Sequence, residues 1–237
     1  MERNFESLVA DGVDSENEEI ERQLEMETRR RAEYVAFIEE KIQDPKNYID
    51  KGGAGKVYRL SEKGVCIKII VDRHEQPNAH EYNLGTHPES EAHFMEVLGS
   101  FGVGSVRSPK LLEYFKAYDK EGKLYHAIIM EEIDAVNLQH IMNGTKEMPK
   151  NMDPEAFFDE IEEYIDALHI KMEMTHGDNE LRNMMVGREE GRLYMIDFGR
   201  SESLRGKTKE QKERLKKKDW DIFERVRKEF LEKKFAK

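Results

Sequence analysis

Several kinds of residue and segment are scarce in this chain of 237 residues. A single cysteine, Cys66, excludes a disulfide framework and a cysteine-based zinc site, and it fits a reducing compartment best. No apolar run approaches the roughly 18 residues that a membrane span requires. The first thirty residues are acidic and lack the apolar stretch of a secretory signal. We therefore expect no membrane span and no leader, and the composition predicts a cytoplasmic protein.

Positive charge is in deficit overall but unevenly distributed. The chain has 39 Lys and Arg against 50 Asp and Glu, a net charge of -11, which argues against broad binding to nucleic acid. Residues 1–50 carry 15 acidic and 7 basic side chains, whereas residues 205–237 carry 14 basic and 7 acidic ones. The plain interpretation is two solvated helix faces, and attraction between the two ends is the alternative.

Periodicity divides the chain into a strand-rich part and a helical part. Apolar spacing predicts helices over 18–43, 88–101, 154–172 and from 207 onward, and strands within 47–71, 110–115, 125–131, 184–186 and 193–196. The buried face of the helix opened by Pro154 is predicted to be Phe157, Phe158, Ile161, Tyr164, Ile165 and Leu168. This order indicates a bilobal α+β protein with an acidic N-terminal extension (1–44), a strand-rich lobe (45–133) and a helical lobe with basic C-terminal helices (134–237).

A glycine-rich turn is followed by a lysine within an apolar strand. Gly52, Gly53 and Gly55 precede Val57, and such a turn brings backbone N–H groups close to phosphates, although it is also typical of an ordinary hairpin. Lys68 lies in Val-Cys-Ile-Lys-Ile-Ile, and a lysine there needs an anionic partner unless it reaches solvent from an edge strand. Glu91 is the preferred carboxylate because it shares the inward face of the next predicted helix; the alternatives are Glu81, Glu89 and Glu96.

A cluster of polar residues follows the long helix. His176-Gly177-Asp178 is followed by Asn183, and Asp197-Phe198-Gly199 comes directly after a short strand. A carboxylate and an amide oxygen are ligands that suit Mg²⁺ held together with nucleotide phosphates. Asp178 is then available to accept a proton from a hydroxyl group.

In this order the motifs resemble the protein-kinase-like superfamily, over about 150 of the 237 residues. The His-Gly-Asp form is similar to compact atypical members: RIO-type and Bud32-type kinases, lipopolysaccharide sugar kinases and short bacterial effector kinases. The resemblance to effector kinases implies an alternative location for the protein, the cytoplasm of a host cell into which it is delivered.

The resemblance implies a role for each of these residues, with ATP and Mg²⁺ as cofactors. Gly52, Gly53, Gly55 and Val57 would cover the nucleotide, and Lys68, paired with Glu91, would hold its phosphates. Asp178 would be the catalytic base, and Asn183 and Asp197 would hold Mg²⁺. The implied gatekeeper and hinge, which contact adenine, are Met130, Glu131, Glu132 and Ile133.

Three departures from the family pattern stand out. Asp50 occupies the position of the first glycine of the loop, and Glu180 stands where a lysine usually follows the catalytic Asp. A carboxylate cannot stabilise a transferring phosphate, and Arg182 is the replacement that we consider. No Ala-Pro-Glu segment follows Gly199, so we expect no control by activation-loop phosphorylation. Asp221, or else Asp219, is expected to anchor the catalytic loop.

The function expected from this resemblance is a Ser/Thr protein kinase that also phosphorylates itself, with a protein substrate or regulatory protein as partner. The alternatives are a small-molecule or sugar kinase, a Bud32-like ATPase of a tRNA-modifying complex, and a pseudokinase that serves as a binding module.

Overall fold

The computed structural model describes residues 29, 32–51, 55–61, 64–71, 87–150, 152–188 and 191–235. The strands are β1 Tyr48–Lys51, β2 Lys56–Ser61, β3 Val65–Val71, β4 Gly102–Val103, β5 Val106–Arg107, β6 Leu111–Tyr118, β7 Leu124–Glu131, β8 Ala135–Asn137, β9 Met174–Thr175, β10 Met184–Gly187, β11 Leu193–Met195 and β12 Glu202–Ser203. The helices are α1 over residues 32–43, α2 Pro88–Leu98, α3 Leu138–Met142, α4 Pro154–Ile170 and α5 Lys209–Phe235. Single 3₁₀ turns span Pro45–Asn47, Leu181–Asn183 and Phe198–Arg200.

The chain divides into two compact units, and the second one contains all the site residues discussed below. The first unit ends at Tyr48 and the second runs from Ile49 to Lys237. Within the described residues of the first unit, α1 confirms the second half of the helix predicted over 18–43. Residues 18–28, 30 and 31 lie outside the described part of the chain. The division into residues 1–44, 45–133 and 134–237 stays a prediction.

Strands of the second unit form two five-stranded sheets. The first sheet has the order β1-β2-β3-β7-β6, and its β2/β3, β3/β7 and β6/β7 pairs are antiparallel. The second has the order β4-β5-β11-β10-β8, in which β5 and β11 run parallel. A third, two-stranded sheet pairs β9 with β12. The predicted α+β class is therefore confirmed.

Helices α4 and α5 pack face to face and form the centre of the helical core. All six residues predicted for the buried face of α4 are buried. Phe158 lies 5.6 Å from Phe230 and 6.1 Å from Phe223 of α5, measured between ring centroids. Burying an aromatic side chain of this size stabilises a fold by about 1.5–3 kcal/mol. This packing holds α5 beneath the segment that joins α4 to β10.

Local signals set the helix ends. Asp153 caps α4 by accepting a hydrogen bond from the amide of Glu155, and Pro154 follows at the first helical position. Helix α2 ends at Leu98, three residues before the predicted end, because Gly99 takes up a positive φ of 32°. A reciprocal pair of bonds between Thr208 and Gln211 opens α5, two residues after the predicted start.

Candidate active site

A cavity of about 360 Å³ lies between the first sheet and the helical part of the second unit. Its volume is in the range of small-molecule pockets. The described residues that line it include nine of those predicted for the site: Val57, Lys68, Glu91, Met130, Glu131, Glu132, Ile133, Asn183 and Asp197. Residues that are distant in sequence therefore meet around one space.

Lys68 lies on β3 and carries two carboxylate partners. Its Nζ is 2.7 and 2.8 Å from the two carboxylate oxygens of Glu91 on α2, and 3.0 Å from Oδ1 of Asp197. Lys68 and Glu91 are 5% and 2% exposed, so the charges are withdrawn from water and must be paired. The structure gives Lys68 the partner preferred from the helical spacing, and Asp197 as a second one.

Burial and pairing act in opposite directions on the acid–base behaviour of this cluster. Burial lowers the pKa of Lys68, but Glu91 and Asp197 raise it by more, so the net shift is upward. Burial raises the pKa of Glu91 to about 7 against the opposing effect of Lys68. Burial also raises the pKa of Asp197, but the positive charge of Lys68 lowers it by more, so the net shift is downward. Two carboxyl groups thus share one ammonium, which leaves room for a further cation.

Asp178 lies at the start of the loop before β10, and its carboxylate contacts a guanidinium. Arg182 donates from Nη2 to both Oδ1 and Oδ2 of Asp178 at 2.9 Å, and Nη1 of Arg200 lies 3.5 Å from Oδ1. The side-chain amide of Asn183 donates to the backbone oxygen of Asp178 at 2.8 Å and to Oδ2 at 3.1 Å. These bonds fix the carboxylate on one side and use the amide nitrogen of Asn183, so its oxygen is the atom that can bind a cation.

Asp219 of α5 anchors this loop from below. Its carboxylate accepts the backbone N–H of His176 at 2.9 Å and of Gly177 at 2.7 Å, and it contacts Nε2 of His169 at 3.0 Å. Asp219 is fully buried. The sequence-based preference for Asp221 is wrong. The Asp221 side chain points to the opposite side of α5, where it is exposed and pairs with Lys217.

The ring of His176 is held in one tautomer. Its Nε2 lies 3.1 Å from the carbonyl oxygen of Ile196 and must donate there, while Nδ1 accepts the N–H of Asp178 at 3.3 Å. Burial lowers the pKa of His176, more than nearby carboxylates raise it, so the neutral form is favoured. The ring also packs on Phe198 at 4.7 Å between centroids.

Asp197 has a backbone conformation that is rare for a residue with a side chain. Its φ is 64° and its ψ is 67°, in the left-handed region. The strained turn follows β11 and directs the carboxylate toward Lys68. On the other side of the turn, the carbonyl oxygen of Gly199 accepts the N–H of His87, the residue before α2.

Glu180 forms an ion pair with α5. Its Oε1 accepts a hydrogen bond from Nη2 of Arg225 on α5 at 2.7 Å. The carboxylate thus joins the loop of Asp178 to α5. The nearest guanidinium to the Asp178 carboxylate is that of Arg182.

The strand segment after Met130 offers an unused backbone donor to the cavity. The N–H groups of Glu131 and Glu132 bond to Lys110 and Gly64, whereas the N–H of Ile133 has no acceptor among the described residues. Such a donor beside an apolar cavity can bind a ring nitrogen of a flat heterocycle. Gly52 and Gly53 lie outside the described part of the chain.

Gly55 belongs to the same glycine-rich turn and lies in the described part of the chain. Its position leaves no room for a side chain. A Cβ atom there would lie 2.4 Å from the carbonyl oxygen of Ile69. Close approach of the two strands therefore requires glycine at this point.

The donor set of the cavity fits a nucleotide with Mg²⁺. Asn183 and Asp197 provide two hard oxygen ligands, and Mg²⁺ characteristically completes its shell with phosphate oxygens and water. Over the described residues, no cluster of three or more His, Cys, Asp or Glu side chains could hold a metal by itself. The Lys68 ammonium faces three carboxylate oxygens, two of Glu91 and one of Asp197, so a phosphate oxygen would have to take the place of the Asp197 contact.

Two residues of the site were missed from the sequence: Asn137, which lines the cavity, and Arg200, which lies beside Asp178. Asn137 caps α3 by accepting the N–H of Gln139 and also donates to the backbone oxygen of Arg182, so it joins α3 to the loop that carries Asp178. An Asn before an apolar helical start is a capping signal that could have revealed it. Arg200, next to Gly199, carries no sequence signal for its contact with Asp178.

Comparison with known proteins agrees with this geometry. A model of the protein kinase domain matches residues 44–229. A search of curated proteins finds no match. Among the described residues, no helix has the length and apolar character needed to cross a membrane. Since the matched region covers more than three quarters of the sequence and contains the whole cavity, the chain belongs to the protein kinase domain family.

Proposed function

We propose that the protein is an ATP- and Mg²⁺-dependent kinase that phosphorylates Ser or Thr hydroxyl groups of proteins, its own included. The observation that carries this proposal is the buried Lys68–Glu91 ion pair at 2.7 Å, which faces the same cavity as Asn183 and Asp197. An ion pair so deeply buried is costly to form, and a phosphate-binding role accounts for it.

Each residue has a distinct task in this proposal. Bound ATP with Mg²⁺ would supply the phosphoryl group and neutralise its charge. Glu91 orients the ammonium of Lys68 toward the nucleotide phosphates. Asn183 and Asp197 hold the cation, and the free N–H of Ile133 binds the adenine ring.

Asp178 receives the proton of the acceptor hydroxyl in this mechanism. The substrate must displace one arm of Arg182, whose side chain is 51% exposed and leaves at little cost. The guanidinium then provides positive charge beside the transferring phosphoryl group, a task that Glu180 cannot perform because it is negative and pairs with Arg225.

The segment in which an activation loop would lie is short. Residues 201–208 alone join the 3₁₀ turn that ends at Arg200 to α5, and two of them form β12. We propose that activity is constitutive or depends on a protein partner.

One observation favours a second candidate, a pseudokinase that binds partners. Both oxygens of Asp178 are occupied by Arg182, and Asp197 is paired with Lys68. In a pseudokinase these ion pairs would persist, and Asp178 would not accept a proton from a substrate.

Transfer of ³²P from labelled ATP in the presence of Mg²⁺ tests the proposal. Lys68→Met, Asp178→Asn and Asp197→Asn should each abolish labelling of the protein and of acceptor proteins, whereas Lys110→Met and Asp221→Asn, which alter exposed residues, should not. Melting with ATP and Mg²⁺ is measured in parallel. A thermal shift without label in the wild type would favour the pseudokinase. If the wild type showed neither label nor a thermal shift, the proposed kinase function would be overturned.

A further inference from the structure

The segment from Arg205 to Lys218 concentrates positive charge in an otherwise acidic protein. These 14 residues contain eight Lys or Arg and two Glu, a net charge of +6, while the whole chain has -11. All fourteen lie in the described part of the chain, and α5 begins within them at Lys209. We call this segment the basic segment.

Local carboxylates neutralise only part of the basic segment. Glu173 lies 3.3 Å from Arg205 and 3.7 Å from Lys212, and Glu202 lies 3.0 Å from Lys207. Lys217 pairs with Asp221 at 2.6 Å. Among the described residues, the remaining cations have no carboxylate within 4 Å: Lys209, Arg214, Lys216 and Lys218.

Two of the unpaired cations lie on a stripe that leads to the catalytic loop. Arg214, Lys218 and Arg225 are spaced by four and seven residues, so they share one face of α5. Arg225 contacts Glu180, two residues after Asp178. At 1.5 Å per residue, Lys218 and Arg214 lie about 10 and 16 Å along the helix from Arg225.

We propose that this stripe binds an acidic stretch of the protein substrate and so places its hydroxyl group at Asp178. This inference rests on the proposed kinase function and adds the class of substrate. An extended peptide advances about 3.3 Å per residue, so the acidic residues would stand about three to five positions from the acceptor. Two guanidiniums at Asp178 itself, from Arg182 and Arg200, extend the positive field to the reacting centre.

The composition of the basic segment favours an acidic polypeptide over other polyanions. It contains no aromatic residue on which a base could stack, and single-stranded nucleic acid is bound largely by such stacking. Its only aliphatic side chain is Leu215, too little for insertion into a lipid interface. Glu210 and Glu213 interrupt the charge, which suits spaced carboxylates better than a continuous phosphate backbone.

Peptide phosphorylation and binding with charge-altered variants test the inference. The probe is a serine peptide with Glu at the third to fifth positions on both sides, and the same peptide with Gln is its control. The variant is Arg214→Gln with Lys218→Gln. The matched control, Lys146→Gln with Lys150→Gln, removes the same charge from exposed positions in the loop between α3 and α4.

The expected result is a KM for the Glu peptide at least tenfold below that for the Gln peptide. The stripe variant should remove this difference without changing KM for ATP, and the control should keep it. Fluorescence anisotropy of the labelled peptides measures the same preference without turnover, so it still reports if the protein transfers no phosphate. Equal binding of both peptides, an unchanged preference in the stripe variant, or tighter stripe-dependent binding of a single-stranded oligonucleotide would overturn the inference.

Discussion

Replacing Asp219 tests how much the loop of Asp178 depends on one buried carboxylate. In Asp219→Ala, two backbone N–H groups and one imidazole nitrogen lose a partner within 3.0 Å, in a site closed to water. Hydrogen bonds to a charged group contribute about 1.5–3 kcal/mol each, and since neighbouring losses are not additive we expect a total of about 4 kcal/mol. This is a large part of the roughly 5–15 kcal/mol that stabilises a domain.

Urea unfolding followed by tryptophan fluorescence measures this loss, because Trp220 lies directly beside Asp219 in the chain. Asp221→Ala is the matched control: its carboxylate is exposed and paired with Lys217, so it should lose at most about 0.5 kcal/mol. Phosphate transfer should fall by about a hundredfold in Asp219→Asn, since small displacements of a catalytic group have effects of this size. A loss below about 1 kcal/mol in Asp219→Ala would refute the anchoring role.

Three further perturbations have defined outcomes. Gly177→Ala should lower the melting temperature and abolish activity, because φ is 80° and a Cβ would meet the carbonyl oxygen of Arg200 at 2.1 Å; an unchanged melting curve would contradict this. Since the pKa of His176 is lowered in the folded state, its contribution to stability is complete above about pH 6.5 and declines below it. Urea unfolding at pH 7.5 and 5.5 should show a smaller acid-induced loss in His176→Gln, and an equal loss would exclude this contribution. Glu89 lies 2.6 Å from Lys116, so Glu89→Lys should raise KM for ATP by loosening the first turn of α2, and adding Lys116→Glu should restore it; no rescue would show that the pair does not position the helix.

The elements with strong local signals could be predicted from the sequence. The amphipathic spacing after Pro154 predicted α4 and its buried face, and Gly64, with a φ of 74°, marks the predicted break between β2 and β3. The pairing of Lys68 with Glu91 could be anticipated because helical geometry places Glu91 on the inward face of α2, and a buried ammonium needs a carboxylate.

Other features depend on contacts that no local pattern records. Strands β4, β5 and β8 have two or three residues each, too few to show alternation, so the second sheet could not be predicted. Asp219 and Asp221 are equivalent in sequence, and only the packing of α5 decides which one contacts the loop of Asp178. The contact of Arg182 with Asp178 also requires the 3₁₀ turn over Leu181–Asn183.

Both ends of α2 are fastened to the polypeptide that carries Asp197. Before the helix, the N–H of His87 bonds to Gly199; after it, β5 runs beside β11, which ends two residues before Asp197. A displacement of α2 alone would have to break one of these attachments or bend the short link from Gly99 to Phe101. Glu91 and Asp197, which both pair with Lys68, are therefore also connected through the backbone on either side of α2, and a cation bound by Asp197 would be expected to affect the position of Glu91.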